Sequence, residues 1–362
     1  MIDTGYLQRC LEDLVNTPSP VGMTERAAVK VAAWLETMGY QVSYTRRGVL
    51  SVTIGNGQPR RALAAHIDTL GAMVIGFHPN GRPKLRNTGT WAARFAEGTR
   101  CTIFTDAGEL RGTILPLKAS GHLFNTEVDT QPADWDNLEV RIDEFPEADG
   151  IFPQSSAMSG HREHKSTPFG VNVGDVVAID AQPEFLENGF IVSRHLDDKA
   201  GVACLLAALK HFSDEGISPS VPAQVMFTIS EEVGIGGTHG FGEQVQELVA
   251  VDNGVTGPGQ TTNDAAATIA FRDRTGPFDL PITRHLLALA QANDIAHVRD
   301  TFRSYRSDSA AAIDAGWDLR VGLICFSLDA SHGWERTHIK SLEELTKLII
   351  AYIGSELVSL PV

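Results

Sequence analysis

The chain has 362 residues, 43% hydrophobic and 21% charged, ample to bury a core in one large domain or two moderate ones. Its formal charge of −15 repels phosphate backbones, and the short pairs Arg46/Arg47 and Arg303/Arg306 make no basic patch to offset it, so no nucleic-acid partner is expected. No run approaches the ~20 apolar residues of a membrane-spanning helix, so no membrane partner is expected.

The start, MIDTGYLQRCLEDL, lacks the basic-then-apolar pattern of a signal peptide. The four cysteines (Cys10, Cys101, Cys204, Cys325) are scattered and form no CxxC pair. A cytoplasmic protein without a disulfide framework is therefore expected. Leu7, Leu11 and Leu14 predict a helix over 4–16, and Ala27, Val31, Leu35 and Met38 a second over 22–39, with Pro18-Ser19-Pro20 between them. Strands are predicted at 48–55 (GVLSVTIG) and 61–66 (RALAAH), the latter apolar enough to be buried on both faces.

From about 73 to 183, short β-like runs such as CTIFTD, LRGTILPL, NLEVRIDE and GDVVAID alternate with Gly/Pro/Asn turns, and helical periodicity is weak. The α/β pattern then resumes with an apolar helix at 200–212. Strands are predicted at 224–230, 247–252, 265–271 and 319–326, with helices near 281–293 and 341–358. Strands alternating with helices predict an α/β fold, a mixed, mostly parallel sheet covered on both faces. That domain comprises 1–72 plus 184–362 and is interrupted by a small β domain, 73–183.

Acids and histidines cluster at the predicted strand ends, where open α/β sheets form their sites. They occur in Ala65-His66-Ile67-Asp68, His195-Leu196-Asp197-Asp198-Lys199-Ala200-Gly201, Ser230-Glu231-Glu232-Val233-Gly234, Val251-Asp252-Asn253 and Ser331-His332-Gly333-Trp334-Glu335. Each alone reads equally as a cap, a turn or a solvated loop. Jointly they supply donors for two divalent metals sharing one carboxylate, plus a spare base to deprotonate water. His66 and Asp68, two apart on an extended chain, point to one side, so Asp68 is placed to orient the imidazole. His161 and His164 in SGHREHK read as a solvated loop or a subunit contact. His338, six residues after His332, stays open as an alternative terminal ligand.

In order and context these segments resemble the tetrahedral and glutamyl aminopeptidases, the forty-second metallopeptidase family. AHIDTLG is similar to that family's AHxDE-G, HLDDKAG to its LDDRAG, ISEEVGIGG to its QEEVG-RG and VAVDNG to its AxD strand end. YRSDSAAAIDAG is similar to its GTDA-AI, with Asp308 in the Asp position. The resemblance spans about residue 5 to the last helix. It implies His66 and Glu232 on one metal, Asp252 and His332 on the other, and Asp197 bridging both. Glu231 is then the general base and acid, and Asp68 orients His66. Zinc or cobalt fits this N/O ligand set, as two ions per subunit, and the resemblance further implies an inserted β-barrel-like domain used for dimerisation, in assemblies up to a dodecamer. Thr69 stands where the family often has Glu, and His332-Gly333-Trp334-Glu335 where it has His-Ser-Pro-x-Glu. The expected activity is release of amino-terminal residues from peptides. Hydrolysis of an N-acylated or dipeptide-like metabolite is the alternative, because both departures lie where a substrate pocket would be shaped.

Overall fold

The computed structural model describes residues 2–144 and 168–358. Two amphipathic helices, α1 (Thr4–Val15) and α2 (Glu25–Thr37), open the chain. Asp3 starts α1 by accepting the Tyr6 N–H at 2.8 Å, and the helix buries Leu7, Leu11 and Leu14. Strands β1 (Ser43–Tyr44), β2 (Leu50–Ile54) and β3 (Arg61–His66) follow. The next stretch carries β4 (Gly71–Phe77), β5 (Pro83–Thr88), β6 (Arg100–Thr105) and β7 (Gly108–Pro116). It continues with short helices α3 (Gly121–Phe124) and α4 (Glu127–Thr130), then β8 (Leu138–Ile142) and β9 (Val176–Ile179). After these come β10 (Glu184–Phe185), β11 (Phe190–Ser193), α5 (Leu196–Asp214), β12 (Ala223–Thr228), β13 (Glu247–Val255), β14 (Ala267–Arg272) and α6 (Leu280–Ala292). The chain closes with β15 (His297–Thr301), α7 (Asp308–Asp314), β16 (Arg320–Leu328), β17 (Glu335–His338) and α8 (Ile339–Ile353).

Two compact units result, Met1–Thr69 with Ala181–Val362, and Leu70–Asp180. Both boundaries fall three residues before those read from hydropathy, because β4 pairs with β9 and so belongs to the second unit. The first unit is α/β, with an eight-stranded sheet in the order β1-β2-β12-β3-β13-β16-β14-β15. Its centre, β12-β3-β13-β16, is parallel; β1 on β2, β2 on β12 and β14 on β16 are antiparallel. Every residue of β3 and β12 is buried, as strands covered on both faces require. The charged member of β3, Arg61, is accommodated by Glu247 at 3.2 Å and by the carbonyls of Ser355 and Glu356. Its guanidinium also stacks 4.3 Å from the ring centroid of Tyr352.

The second unit is a closed barrel, β4-β5-β8-β7-β6-β9 among the described residues. Val74, Leu85, Ile103, Ile114, Val140 and Val177 fill it, and Trp91 meets Trp135 edge-on at 4.8 Å. His161 and His164 lie outside the described residues. No helix among the described residues is long and apolar enough to cross a membrane.

Candidate metal centre

Because β3, β12, β13 and β16 run parallel, their carboxyl ends coincide at one sheet edge. His66 ends β3, Glu231 and Glu232 form a single turn after β12, and Asp252 lies in β13 beside Cys325 of β16. His332 sits in the turn between β16 and β17, and Asp197 in the first turn of α5. Asp197 is the hub. Its Oδ1 is 3.1 Å from His66 Nε2, and its Oδ2 is 3.2 Å from His332 Nε2. Glu232 Oε2 is 3.4 Å from His332 Nε2, and Glu231 Oε2 stands 3.8 Å from His66 Nε2. Donor atoms of His66, Asp197 and Glu232 fall within 4.8 Å of one another, as do those of His66, Asp198 and Asp252. His66 thus neighbours both Glu232 and Asp252, and the nearest imidazole contact of Glu232 is His332. His338 is elsewhere: it caps α8 by accepting the Lys340 N–H, and its Nε2 is 3.0 Å from the Asn188 carbonyl.

The backbone around the hub is unusual. His195 and His332 have φ of 66° and 63°, and the Asp197–Asp198 peptide is cis. Gly201 is required because a Cβ there would collide with the Asp198 carboxylate, which otherwise takes the His66 N–H at 3.1 Å. Gly236 is required likewise against Asp308 Oδ1.

Two supporting carboxylates differ from the sequence reading. Asp68 holds His66 through its backbone carbonyl, 2.9 Å from Nδ1, while its carboxylate lies 3.7 Å from that nitrogen. The carboxylate instead takes the N–H groups of Glu231 (3.1 Å) and Glu232 (3.2 Å). Two N–H donors at the start of a turn compete better for a buried carboxylate than one ring nitrogen already satisfied. The second is Glu335, left without a role by the sequence. It accepts the N–H of Leu196 (2.8 Å) and Asp197 (3.2 Å) on Oε2, and that of His332 (2.9 Å) on Oε1. The pairing of Glu335 with Ser193 between β17 and β11 puts it there. A buried acid at a strand start was the available signal, but its partner strand was not predicted.

Asp308 accepts the Thr228 hydroxyl at 2.6 Å behind the Glu231 turn. Trp334, 38% exposed and in the turn that carries His332, stacks 4.2 Å from the Arg194 guanidinium.

This is an acidic site that burial opposes. Burial pushes Glu232 to about 8 against the pull of His332, with Asp197 adding a smaller rise, and burial with Asp197 pushes Glu335 to about 8 and Asp252 to about 7. Burial drives Glu231 and Asp198 well above the usual carboxylate range, with Asp252 adding to both. Asp197 is the exception: burial works against its charge, yet hydrogen bonds from His332 and His66 hold it well below the usual range. Such carboxylates are compensated when divalent cations sit among them, and imidazole with carboxylate oxygen is a fitting donor set.

The family model described as M42 glutamyl aminopeptidase matches residues 48–348. Over 351 residues the chain is 34% identical to YhfE of Bacillus subtilis (strain 168), a protein provisionally named an aminopeptidase, covering 96% of this chain and 97% of that one. A TET aminopeptidase from a marine sediment archaeon, Thaumarchaeota archaeon SCGC AB-539-E09, superposes with TM-score 0.82 at 17% identity, over 96% of each chain. The Pyrococcus horikoshii TET1 peptidase, which can assemble into a tetrahedron or a large octahedral shell, gives 0.80 at 20% identity, over 96% of this chain and 99% of that one.

Proposed function

The chain belongs to the M42 glutamyl aminopeptidase family and is a metal-dependent aminopeptidase, and from that premise we propose how its residues divide the work. Two divalent ions, zinc or cobalt by the character of the donors, would be held with Asp197 between them. His66 and Asp252 would serve one ion, and Glu232 and His332 the other. This pairing differs from the one that the family resemblance implied, His66 with Glu232 and Asp252 with His332. It is supported by the two oxygens of Asp197 addressing different imidazoles, and by Glu232 lying beside His332. Bound there, the ions would acidify a water and polarise the scissile carbonyl.

Glu231 is left as the proton carrier. Its Oε2 stands nearest His66 but at 3.8 Å, while its backbone N–H is fixed by Asp68. It takes a proton from the attacking water and returns one to the departing amine. A free α-amino group is a natural hydrogen-bond partner for the carboxylates around the ions, which favours substrates with a free amino terminus.

The observation that carries this reading is the single carboxylate of Asp197 held between two imidazoles, with Glu231 beside it and outside the clamp. Reconstituted with zinc or cobalt, the protein is expected to hydrolyse aminoacyl p-nitroanilides and short peptides, but not their N-acetylated forms. Faster cleavage of N-acylated amino acids would replace the aminopeptidase reading with deacylation.

We further propose that the Leu70–Asp180 unit mediates self-association into a dimer or larger assembly. Met73, Ile75, Phe95, Leu123 and Val173 expose apolar surface on it, and the Pyrococcus horikoshii relative forms shells. A monomer in light scattering at micromolar concentration would overturn this. The four cysteines are buried free thiols, in keeping with a cytoplasmic location.

A further inference from the structure

Tyr305 precedes α7 by three residues and entered none of the motifs above as a functional group. Its ring packs edge-on against Phe302 at 5.3 Å and joins the apolar cluster of Ala250, Phe302 and Cys325. Its backbone is pinned by its carbonyl, which accepts the Arg274 N–H at 2.8 Å. Ala250 lies two residues before Asp252 on β13, and Cys325 is Asp252's register partner on β16. The ring therefore leans on the wall of the sheet from which Asp252 projects.

The hydroxyl at the end of that ring is buried and finds no hydrogen-bond partner of ordinary geometry among the described residues. The groups whose charge it feels are Asp252, Cys325, Asp197 and Glu231, and Asp252 is near enough to take a hydrogen bond of poor geometry from it, which favours that carboxylate's ionised form. A phenol among such groups acts as a donor. A buried donor without a well-formed bond is costly, and it persists where a ligand supplies a better acceptor.

We propose that Tyr305 is a further catalytic residue, whose phenolic O–H donates a hydrogen bond to the carbonyl oxygen of the scissile bond as it becomes a tetrahedral oxyanion. The inference rests on the aminopeptidase reading of the site. In the step concerned, the water oxygen bonds to the carbonyl carbon and the carbonyl π pair moves onto its oxygen. The water's proton passes to Glu231. On collapse the C=O bond re-forms, the C–N bond breaks, and the amine nitrogen takes the proton from Glu231. Tyr305 keeps its proton throughout; its hydrogen bond strengthens as charge gathers on the oxygen. Asp252 already accepts the N–H of Asn253 at 2.6 Å and its side-chain amide at 3.1 Å on Oδ1, so fixing that carboxylate does not need the phenol.

The test is Tyr305→Phe, which keeps the ring packing and removes only the hydroxyl. With metal content and metal affinity equal to wild type, kcat is expected to fall about 100-fold, the usual loss for one oxyanion donor, with KM little changed. Calorimetric affinity for a tetrahedral aminophosphonate should weaken in parallel, while affinity for the free amino-acid product stays the same. Wild-type turnover in the variant would overturn the proposal. So would a fall in activity matched by lost metal, which would make Tyr305 a support for Asp252. Neither result would touch the aminopeptidase reading, whereas a metal-loaded wild type inert toward every free-amine substrate would remove both.

Discussion

Strands β3 and β13 carry charge at both ends, and the two ends treat it oppositely. At the amino ends Arg61 and Glu247 are both buried, and they face each other at 3.2 Å. The last turn of α8 and the tail after it close over them: Tyr352 donates its hydroxyl to Glu247 at 2.9 Å, and Ser355, Glu356 and Val358 complete the hydrogen bonding. At the carboxyl ends, burial is as deep and compensation is not. Asp68, Asp197, Asp198, Glu232, Asp252, Asp308 and Glu335 converge there, with the imidazoles of His66 and His332 against Asp197. The nearby Lys199 is buried with its ammonium on the Thr17 carbonyl. One end of the sheet is finished by the chain itself, and the other is finished by what it binds. A sheet of this kind stays folded because the first end is self-sufficient, which frees the second to hold an unbalanced, reactive arrangement.

The comparison can be broken at its hub. Asp197→Ala is expected to abolish binding of both ions and bring turnover below detection, read by metal analysis and assay on the purified protein. Retention of two ions per chain would move the bridging role to Asp198. The next largest effect should come from Glu231→Gln, which keeps the ions and slows turnover by about 10²–10⁴-fold. A near-native rate would show that another group carries the proton. At the opposite end, Arg61→Met strands Glu247 in the interior and should lower stability by about 3–5 kcal/mol. Turnover per folded molecule should be unaffected, and Arg61→Met with Glu247→Met should recover much of the loss. A denaturant series on the three proteins, with activity measured on each, would show whether the ends are as separate as claimed.

The smallest effect sharpens the contrast through pH. Glu232 and Glu335 at about 8 and Asp252 at about 7 hold protons that the unfolded chain gives up near its ordinary carboxylate range, about 4.3. Between those limits the folded, metal-free protein binds more protons than the unfolded one, so its stability falls as pH rises from about 4.5 to 8. Asp197 is shifted the other way and loses its contribution only in stronger acid. Thermal melts of stripped protein should decline across that window, and the decline should vanish on adding zinc, with proton release on binding. A flat profile without metal would mean that the acidic end is already balanced.

Much of the fold was legible because the large elements carry unambiguous periods. The unbroken apolar run RALAAH gave β3 at its observed limits, and leucines at helical spacing gave α1. β10, β11 and β17 were not predicted, being two to four residues long and mixed in polarity. In the site, an acid or histidine just past an apolar strand was a local signal, and it identified the segments that meet around Asp197. What the carboxylates do was not local. Asp68 serves a turn that begins 163 residues later, and Glu335 serves residues 138 and 139 positions earlier. Tyr305 is positioned by packing against an apolar cluster that includes residues of β13 and β16. None of these leaves a mark within a sequence window.

Glu335 has one more consequence. A single carboxylate grips the segment bearing Asp197 with one oxygen and the segment bearing His332 with the other. Thermal motion of β17 therefore moves both segments together, as a displacement common to the two, and leaves their separation almost untouched. The spacing between these two backbone positions is set by the width of one carboxyl group, as the jaws of a gauge are set by its bar.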